Sequence, residues 1–196
     1  MDKLSYAWGM AMAQQLKGMG VEKLDINDYS NAVKDVFEGN TPAIEPAEAQ
    51  KLIQDYLADL QKKVEAQARA EGEKFLEENK KNENVQTTAS GLQYVVEKEG
   101  NGIKPTAEDE VTVHYTGRLL SGQVFDSSVN RGEPATFPLN RVIPGWTEGV
   151  QLMSEGSKYT FFIPSDLAYG PQGIPNVIPP HSTLIFDVEL IKVNKK

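Results

Sequence analysis

The sequence predicts an α+β protein: an all-α N-terminal dimerisation arm ending in a long spacer helix, then an antiparallel curved β-sheet wrapped around one short helix. Three observations predict it. Residues 1–82 hold only two prolines, Pro42 and Pro46, and the other nine follow residue 85. The apolar period changes at the same place, from helical spacing to strand-like alternation. A polar, aperiodic stretch at 82–90 separates the two regimes and sets the domains at 1–84 and 85–196.

Three helices fit the first region. Leu4, Trp8, Met12 and Leu16 recur every fourth residue, with Ala7, Ala11 and Met19 adjoining, and Gly18 and Gly20 end that stripe. Tyr29, Ala32, Val33, Val36 and Phe37 form a second stripe, with Asn27 as the expected N-cap and Gly39 as the stop. The third helix starts at Pro46 and runs to about residue 82, roughly 50 Å at 1.5 Å per residue. Its first half carries Leu52, Ile53, Tyr56, Leu57, Leu60 and Val64, whereas 65–74 is polar all round. Such a helix crosses solvent between domains, so the second half reads as a spacer rod. The arm is short of volume for a private core, and the chain has no cysteine to staple it. A second copy is therefore expected to complete it, giving a homodimer through residues 1–64; the alternative is that the arm packs on the C-terminal domain.

Strand-like segments follow at 91–97, 111–120, 123–127, 135–139, 158–164 and 184–193, with a short helix at 147–153 after Pro144 and Gly145. These are expected to be mostly hairpin-connected, forming one sheet around the single helix.

Charge and composition remove several function classes. The net charge of −8 disfavours binding to nucleic-acid phosphates. The absence of cysteine excludes disulfides, thiol nucleophiles and Cys-ligated zinc. Two histidines, His114 and His181, leave no His-rich metal site. His114 alternates away from Tyr115 onto the outer face, and His181 follows two prolines in a loop. No metal and no cofactor are expected. No apolar run reaches the roughly eighteen residues of a membrane span, and the first twenty residues lack a leader pattern. A cytoplasmic location is expected, with a periplasmic or outer-membrane-associated one as the alternative if a leader has been removed.

The chemistry concentrates in the second region. Tyr115, Phe125, Phe137, Trp146, Tyr169 and Phe186 cluster beside turns, and 169–180 is a rigid Pro/Gly loop bearing Ile174, Val177 and Ile178. Few polar groups, notably Asp126 and Tyr169, stand among them. An apolar concavity with few polar groups is a ligand pocket, and it lacks the paired acid and base of a hydrolase.

The strings VHYTGRLLSGQVFDSS, VIPGWTEGVQLM, PSDLAYG and IPPHSTLIFDVELIKV resemble the FKBP-type peptidyl-prolyl cis–trans isomerases, in the family's order and across essentially all of 91–193. The segment SYAWGMAMA with the following helices is similar to the arm of the Mip-like branch, in which interlocked arms hold two catalytic domains apart in a V-shaped homodimer. The resemblance implies an FKBP-like fold and a site. Trp146 corresponds to the pocket floor. Tyr115, Phe125, Val142, Ile143, Tyr169, Ile178 and Phe186 correspond to the walls, with Phe137 beside them. Asp126 corresponds to the carboxylate facing the ligand carbonyl region. The Ile178 backbone N–H and the Tyr169 hydroxyl correspond to hydrogen-bond donors. Asp126, Tyr169, Tyr115 and Phe186 are thus the expected catalytic residues, and Phe125, Val142, Ile143, Trp146, Ile178 and Phe137 the substrate-binding ones. Ala135 stands where many members have an aromatic residue, and Ile174 stands near a position that is often histidine.

The implied activity is isomerisation of X–Pro bonds in unfolded or partly folded polypeptides, with macrolide inhibitors as further ligands. The alternative is a proline-directed chaperone or binding module whose turnover is incidental.

Overall fold

The computed structural model of the protein describes residues 1–195, which divide into two compact units, Met1–Lys62 and a second beginning at Lys63. The boundary therefore falls inside the long helix, about twenty residues before the polar stretch that marks it in sequence.

In the first unit, helix α1 (Lys3–Gly18) is capped by Asp2, whose carboxylate accepts the Ser5 N–H at 2.7 Å. Helix α2 (Ile26–Glu38) is capped by Asp25 rather than the expected Asn27. The Asp25 carboxylate accepts from the N–H groups of both Asn27 and Asp28, so two of the free donors of the first turn are satisfied one residue pair earlier. Gly39 then ends α2 at φ 70°, a left-handed conformation that glycine takes without penalty. Helix α3 (Pro46–Asn79) begins at its first-turn proline and stops three residues short of the expected end. No residue of α1 or α2 is buried. Their apolar stripes line a cavity of about 800 Å³ that includes Trp8, Met12, Val33 and Phe37.

The second unit begins with the C-terminal half of α3, which is not the free spacer that its polar surface suggests. Gly72 and Asn79 are buried. A side chain at Gly72 would collide with Thr183, so the missing Cβ lets the helix lie on the domain. Phe75 packs on Phe162 with ring centroids 5.7 Å apart, and Asn79 donates to the Gln93 side chain at 2.9 Å. Arg69 reaches the His181 ring nitrogen at 2.9 Å. A few well-placed small, aromatic and amide groups dock this helix where hydrophobic periodicity is silent.

The sheet contains β1 (Gln86–Thr87), β2 (Gln93–Lys98), β3 (Glu110–Leu119), β4 (Val124–Ser127), β5 (Ala135–Pro138), β6 (Lys158–Ile163) and β7 (Leu184–Asn194). All pairings are antiparallel, in the order β1-β2-β6-β7-β3-β4, and β5 also pairs with β3. Only β1–β2, β3–β4 and β6–β7 join strands consecutive in sequence. The β2–β6, β3–β5 and β3–β7 ladders are non-consecutive, so the expectation of mostly hairpin connections gives way to a more interleaved topology. Register shifts interrupt the β2–β6, β3–β4 and β3–β7 ladders. Such irregularities increase local twist and curve a sheet.

Val111, Val113 and Tyr115 alternate inward along β3, as the period-two pattern requires. They meet Phe161, Val188 and Leu190 in one core with Leu92 and Leu139. Helix α5 (Pro144–Val150) lies against it, starting three residues earlier than the sequence suggests because Pro144 sits in its first turn. Gly149 carries this close approach: a Cβ there would stand 2.7 Å from the Phe161 ring. Full burial of each large apolar side chain in this core contributes about 1.5–3 kcal/mol.

Candidate functional site

One end of the sheet, the N-terminal end of α5 and the loops beside them enclose a cavity of about 460 Å³. β3 supplies Tyr115 and β7 supplies Phe186, brought together by the ladder that pairs Gly117 with Phe186. The tight turn after β3 is closed by the Gly122 N–H on the Leu119 carbonyl. It returns the chain as β4 and brings Phe125 and Asp126 to the same wall. Gly117 makes room for them: a Cβ there would come within 2.6 Å of both the Phe125 and the Phe186 rings.

Trp146 on α5 is 4% exposed and organises the aromatic residues. Tyr115, Phe137 and Phe186 stand nearly perpendicular to it, at interplanar angles of 89°, 90° and 83° and centroid separations of 5.2, 5.9 and 5.4 Å. Edge-to-face pairs of this kind add about 0.5–1.5 kcal/mol each beyond area burial. The Trp146 indole Nε1–H is buried without a hydrogen-bond partner. Val142 and Ile143 complete the apolar wall, and Tyr169 closes the loop side.

The polar edge is a three-residue cluster. Tyr115 donates its hydroxyl proton to Asp126 at 2.5 Å. Arg131 donates to the other Asp126 oxygen and, at 3.0 Å, to the Tyr115 hydroxyl. Its guanidinium also lies 5.7 Å from the centre of the Tyr115 ring. Arg131 reaches back because a one-turn helix, α4 (Ser128–Arg131), follows β4 directly, capped by Ser127 and ended by Gly132 at φ 79°. Burial alone would push the Asp126 carboxyl up, but the Tyr115 and Arg131 hydrogen bonds and the Arg131 charge outweigh it and hold it below its ordinary value. Burial, reinforced by Asp126, raises the pKa of Tyr115; burial and the Asp126 charge do the same for Tyr169. At neutral pH the site therefore presents one ionised carboxylate and two neutral phenols.

Nine of the ten residues expected from sequence meet at this cavity: Tyr115, Phe125, Asp126, Phe137, Val142, Ile143, Trp146, Tyr169 and Phe186. Ile178 does not. It is buried in the core, and its N–H, the expected donor, is bound to the Ile174 carbonyl at 2.8 Å, with the reciprocal bond also 2.8 Å. Asn176 at φ 61° turns the chain between them and closes that small loop. The Ile143 N–H, beside α5, makes no hydrogen bond among the described residues. Sequence reasoning missed Arg131 and Arg141. The serine–glycine bracket around 127–132 signals the turn that returns Arg131. Arg141 lies immediately before the apolar pair Val142 and Ile143. His114 contacts the Ser128 hydroxyl at 3.1 Å and stays outside the cavity. Among the described residues, no cluster of three or more His, Asp or Glu is placed to hold a metal ion.

Comparison with known proteins agrees with this architecture. Residues 101–191 match the family described as FKBP-type peptidyl-prolyl cis-trans isomerase, and residues 1–96 match the domain amino-terminal to it. The chain is 46% identical to an FKBP-type 22 kDa peptidyl-prolyl cis-trans isomerase of Escherichia coli, over 96% of this chain and 93% of that one. The chain belongs to the FKBP-type peptidyl-prolyl cis–trans isomerases.

This isomerase is also 46% identical to a probable FkpA of Neisseria meningitidis, over 98% of the chain and 74% of the relative. It is 43% identical to a Mip isomerase of Coxiella burnetii, over 100% and 87%. Among solved structures, Escherichia coli FkpA superposes with TM-score 0.83 at 37% identity, covering 97% of this chain and 93% of that one. A Pseudomonas syringae isomerase gives 0.63 at 38% identity, covering 66% and 96%. The relationship favours a catalyst of X–Pro isomerisation acting on proline-containing polypeptides over a binding module without turnover.

Proposed function

We propose that the isomerase works without covalent chemistry, by holding a prolyl ring on Trp146 while the preceding imide bond twists. The observation that carries this reading is the Trp146 box, with three rings standing upright around one indole beneath a 460 Å³ cavity. A peptide bond resists rotation by about 18–20 kcal/mol because twisting sacrifices resonance. The twisted imide has lost conjugation and is less polar than the planar one. An apolar wall therefore favours it relative to water, which is differential binding of the transition state. Lowering the barrier by about 7–8 kcal/mol corresponds to roughly 10⁵–10⁶-fold acceleration.

Polar groups fix the flanking chain. The Tyr169 hydroxyl and the Ile143 N–H, both without partners among the described residues, are the available donors for substrate carbonyls. Asp126, gripped by Tyr115 and Arg131, provides a fixed negative pole at the cavity edge. The same apolar floor and donors suit macrolide inhibitors.

The arm acts as a dimerisation element through residues 1–64. Leu4, Trp8 and Phe37 are 68%, 62% and 86% exposed, and a second copy of the same stripe is the partner that covers them. Two pockets on one dimer then raise the effective concentration of prolyl sites along one unfolded chain.

The test is cis-to-trans relaxation of short peptides with a Leu–Pro or Phe–Pro bond. The intact protein should raise the first-order rate in proportion to its concentration. Asp126→Leu and Tyr169→Phe should lower that slope while the sedimentation coefficient stays that of a dimer. An unchanged relaxation rate with the intact protein rejects the reading.

A further inference from the structure

Arg141 ends the one-turn 3-10 helix Leu139–Arg141 and lines the same cavity as Trp146 and Asp126. Its base is anchored. The Leu139 N–H donates to the Asp109 carbonyl at 3.0 Å, and the Thr147 hydroxyl donates to the Leu139 carbonyl at 2.7 Å. The guanidinium itself makes no hydrogen bond and no ion pair among the described residues. The cavity's other charge is already matched, because Asp126 is paired with Arg131. Tyr115 and Tyr169 remain neutral at physiological pH. The wall thus carries one uncompensated positive charge, on a chain whose net charge is −8.

We infer that Arg141 is a specificity-determining residue that favours substrates with an acidic side chain next to the proline. The inference rests on the prolyl-pocket reading. A prolyl ring is uncharged and offers this guanidinium nothing, so selection falls on the flanking side chains that leave the apolar cavity across its rim. A carboxylate there forms a charge-assisted, two-pronged contact that glutamine reproduces weakly and lysine opposes. Because Arg141 is exposed, the expected discrimination is modest, about two- to fivefold, the range of solvent-exposed pairs. Added salt should reduce it.

The experiment uses the full chain and six tetrapeptides, with Glu, Gln or Lys placed immediately before the proline in one series and immediately after it in the other. The wild-type protein should rank kcat/KM as Glu above Gln above Lys in at least one series, and Arg141→Glu should invert that order. Comparing orders within each protein cancels any general loss of activity in the variant, and the net negative charge of the wild-type chain by itself opposes the Glu-over-Gln order expected of it. Equal rates for Glu and Gln with the wild type, or the same order in wild type and Arg141→Glu, overturns the inference. If the wild type accelerates none of the six peptides, the prolyl-pocket reading falls first and takes this inference with it.

Discussion

The chain contains two tryptophans, Trp8 in the arm and Trp146 in the isomerase unit, and they live in opposite surroundings. Trp8 is 62% exposed on a helix with no buried residue. Trp146 is 4% exposed and ringed by three aromatic side chains. Phenylalanine repeats the contrast, with Phe37 at 86% exposure and Phe161 at 0%. In one unit apolar residues close a core and shape a cavity; in the other they stand along a stripe that one copy leaves open. Stability is therefore intrinsic to the second unit and, on the proposal above, a property of the pair in the first.

The largest effect that separates the units should come from Phe161→Ala. Removing a fully enclosed phenylalanine costs about 3–5 kcal/mol, and denaturant unfolding should show that loss independently of protein concentration. Phe37→Ala should behave differently. If the proposed dimer forms through this stripe, its unfolding midpoint should become more dependent on concentration, with dissociation at higher protein concentration in sedimentation than for the wild type. A second expectation follows from the boundary at Lys63. Deleting residues 1–62 should leave a monomer that turns over short prolyl peptides at close to the full-length rate per site, while refolding of large protein substrates falls severalfold. Equal refolding by the truncated protein contradicts the role given to the arm.

Different parts of this contrast were legible in sequence to different degrees. Alternation along β3 announced its inward face because one side of a sheet must leave water, and Trp146 with its neighbours Tyr115 and Phe186 was readable from motifs spread along 113–193. The C-terminal half of α3 was not legible. Docking there depends on the absence of a side chain at Gly72, one ring at Phe75 and the amide of Asn79. None of these produces a stripe of period 3.6. Arg131 escaped for a similar reason: a one-turn helix is too short to carry periodicity, yet it delivers the cation to Asp126. Ile178 erred the other way, since the 169–180 loop folds its N–H back on Ile174.

Within the site, Arg131→Ala should lower kcat/KM by about three- to tenfold. The lost hydrogen bonds are charge-assisted, but the pair is partly solvated and screened. Peptide turnover should fall and the sedimentation coefficient should stay that of the wild type, which confines the effect to the second unit. The smallest expected effect is on pH dependence. The Asp126 carboxyl is held below its ordinary value of 3.8. Its stabilising contribution is complete above that value and is lost as pH falls through the lower folded value. Between pH 5 and 8 its charge should therefore leave stability and turnover unchanged, and in Arg131→Ala the acid limb should move upward. Tyr115 and Tyr169 are shifted the other way. Their contributions are complete below the ordinary tyrosine value of 10.0 and are lost as pH rises through the higher folded values, which ultraviolet titration of the phenols checks.

The most direct measurement uses the two indole N–H signals in a ¹⁵N-labelled sample, one from each region. Titration with a short prolyl peptide should shift the Trp146 signal and leave that of Trp8 in place, with exchange between the cis and trans forms of the bound peptide accelerated. A peptide that moves Trp8 while the Trp146 signal stays fixed contradicts catalysis on the Trp146 floor.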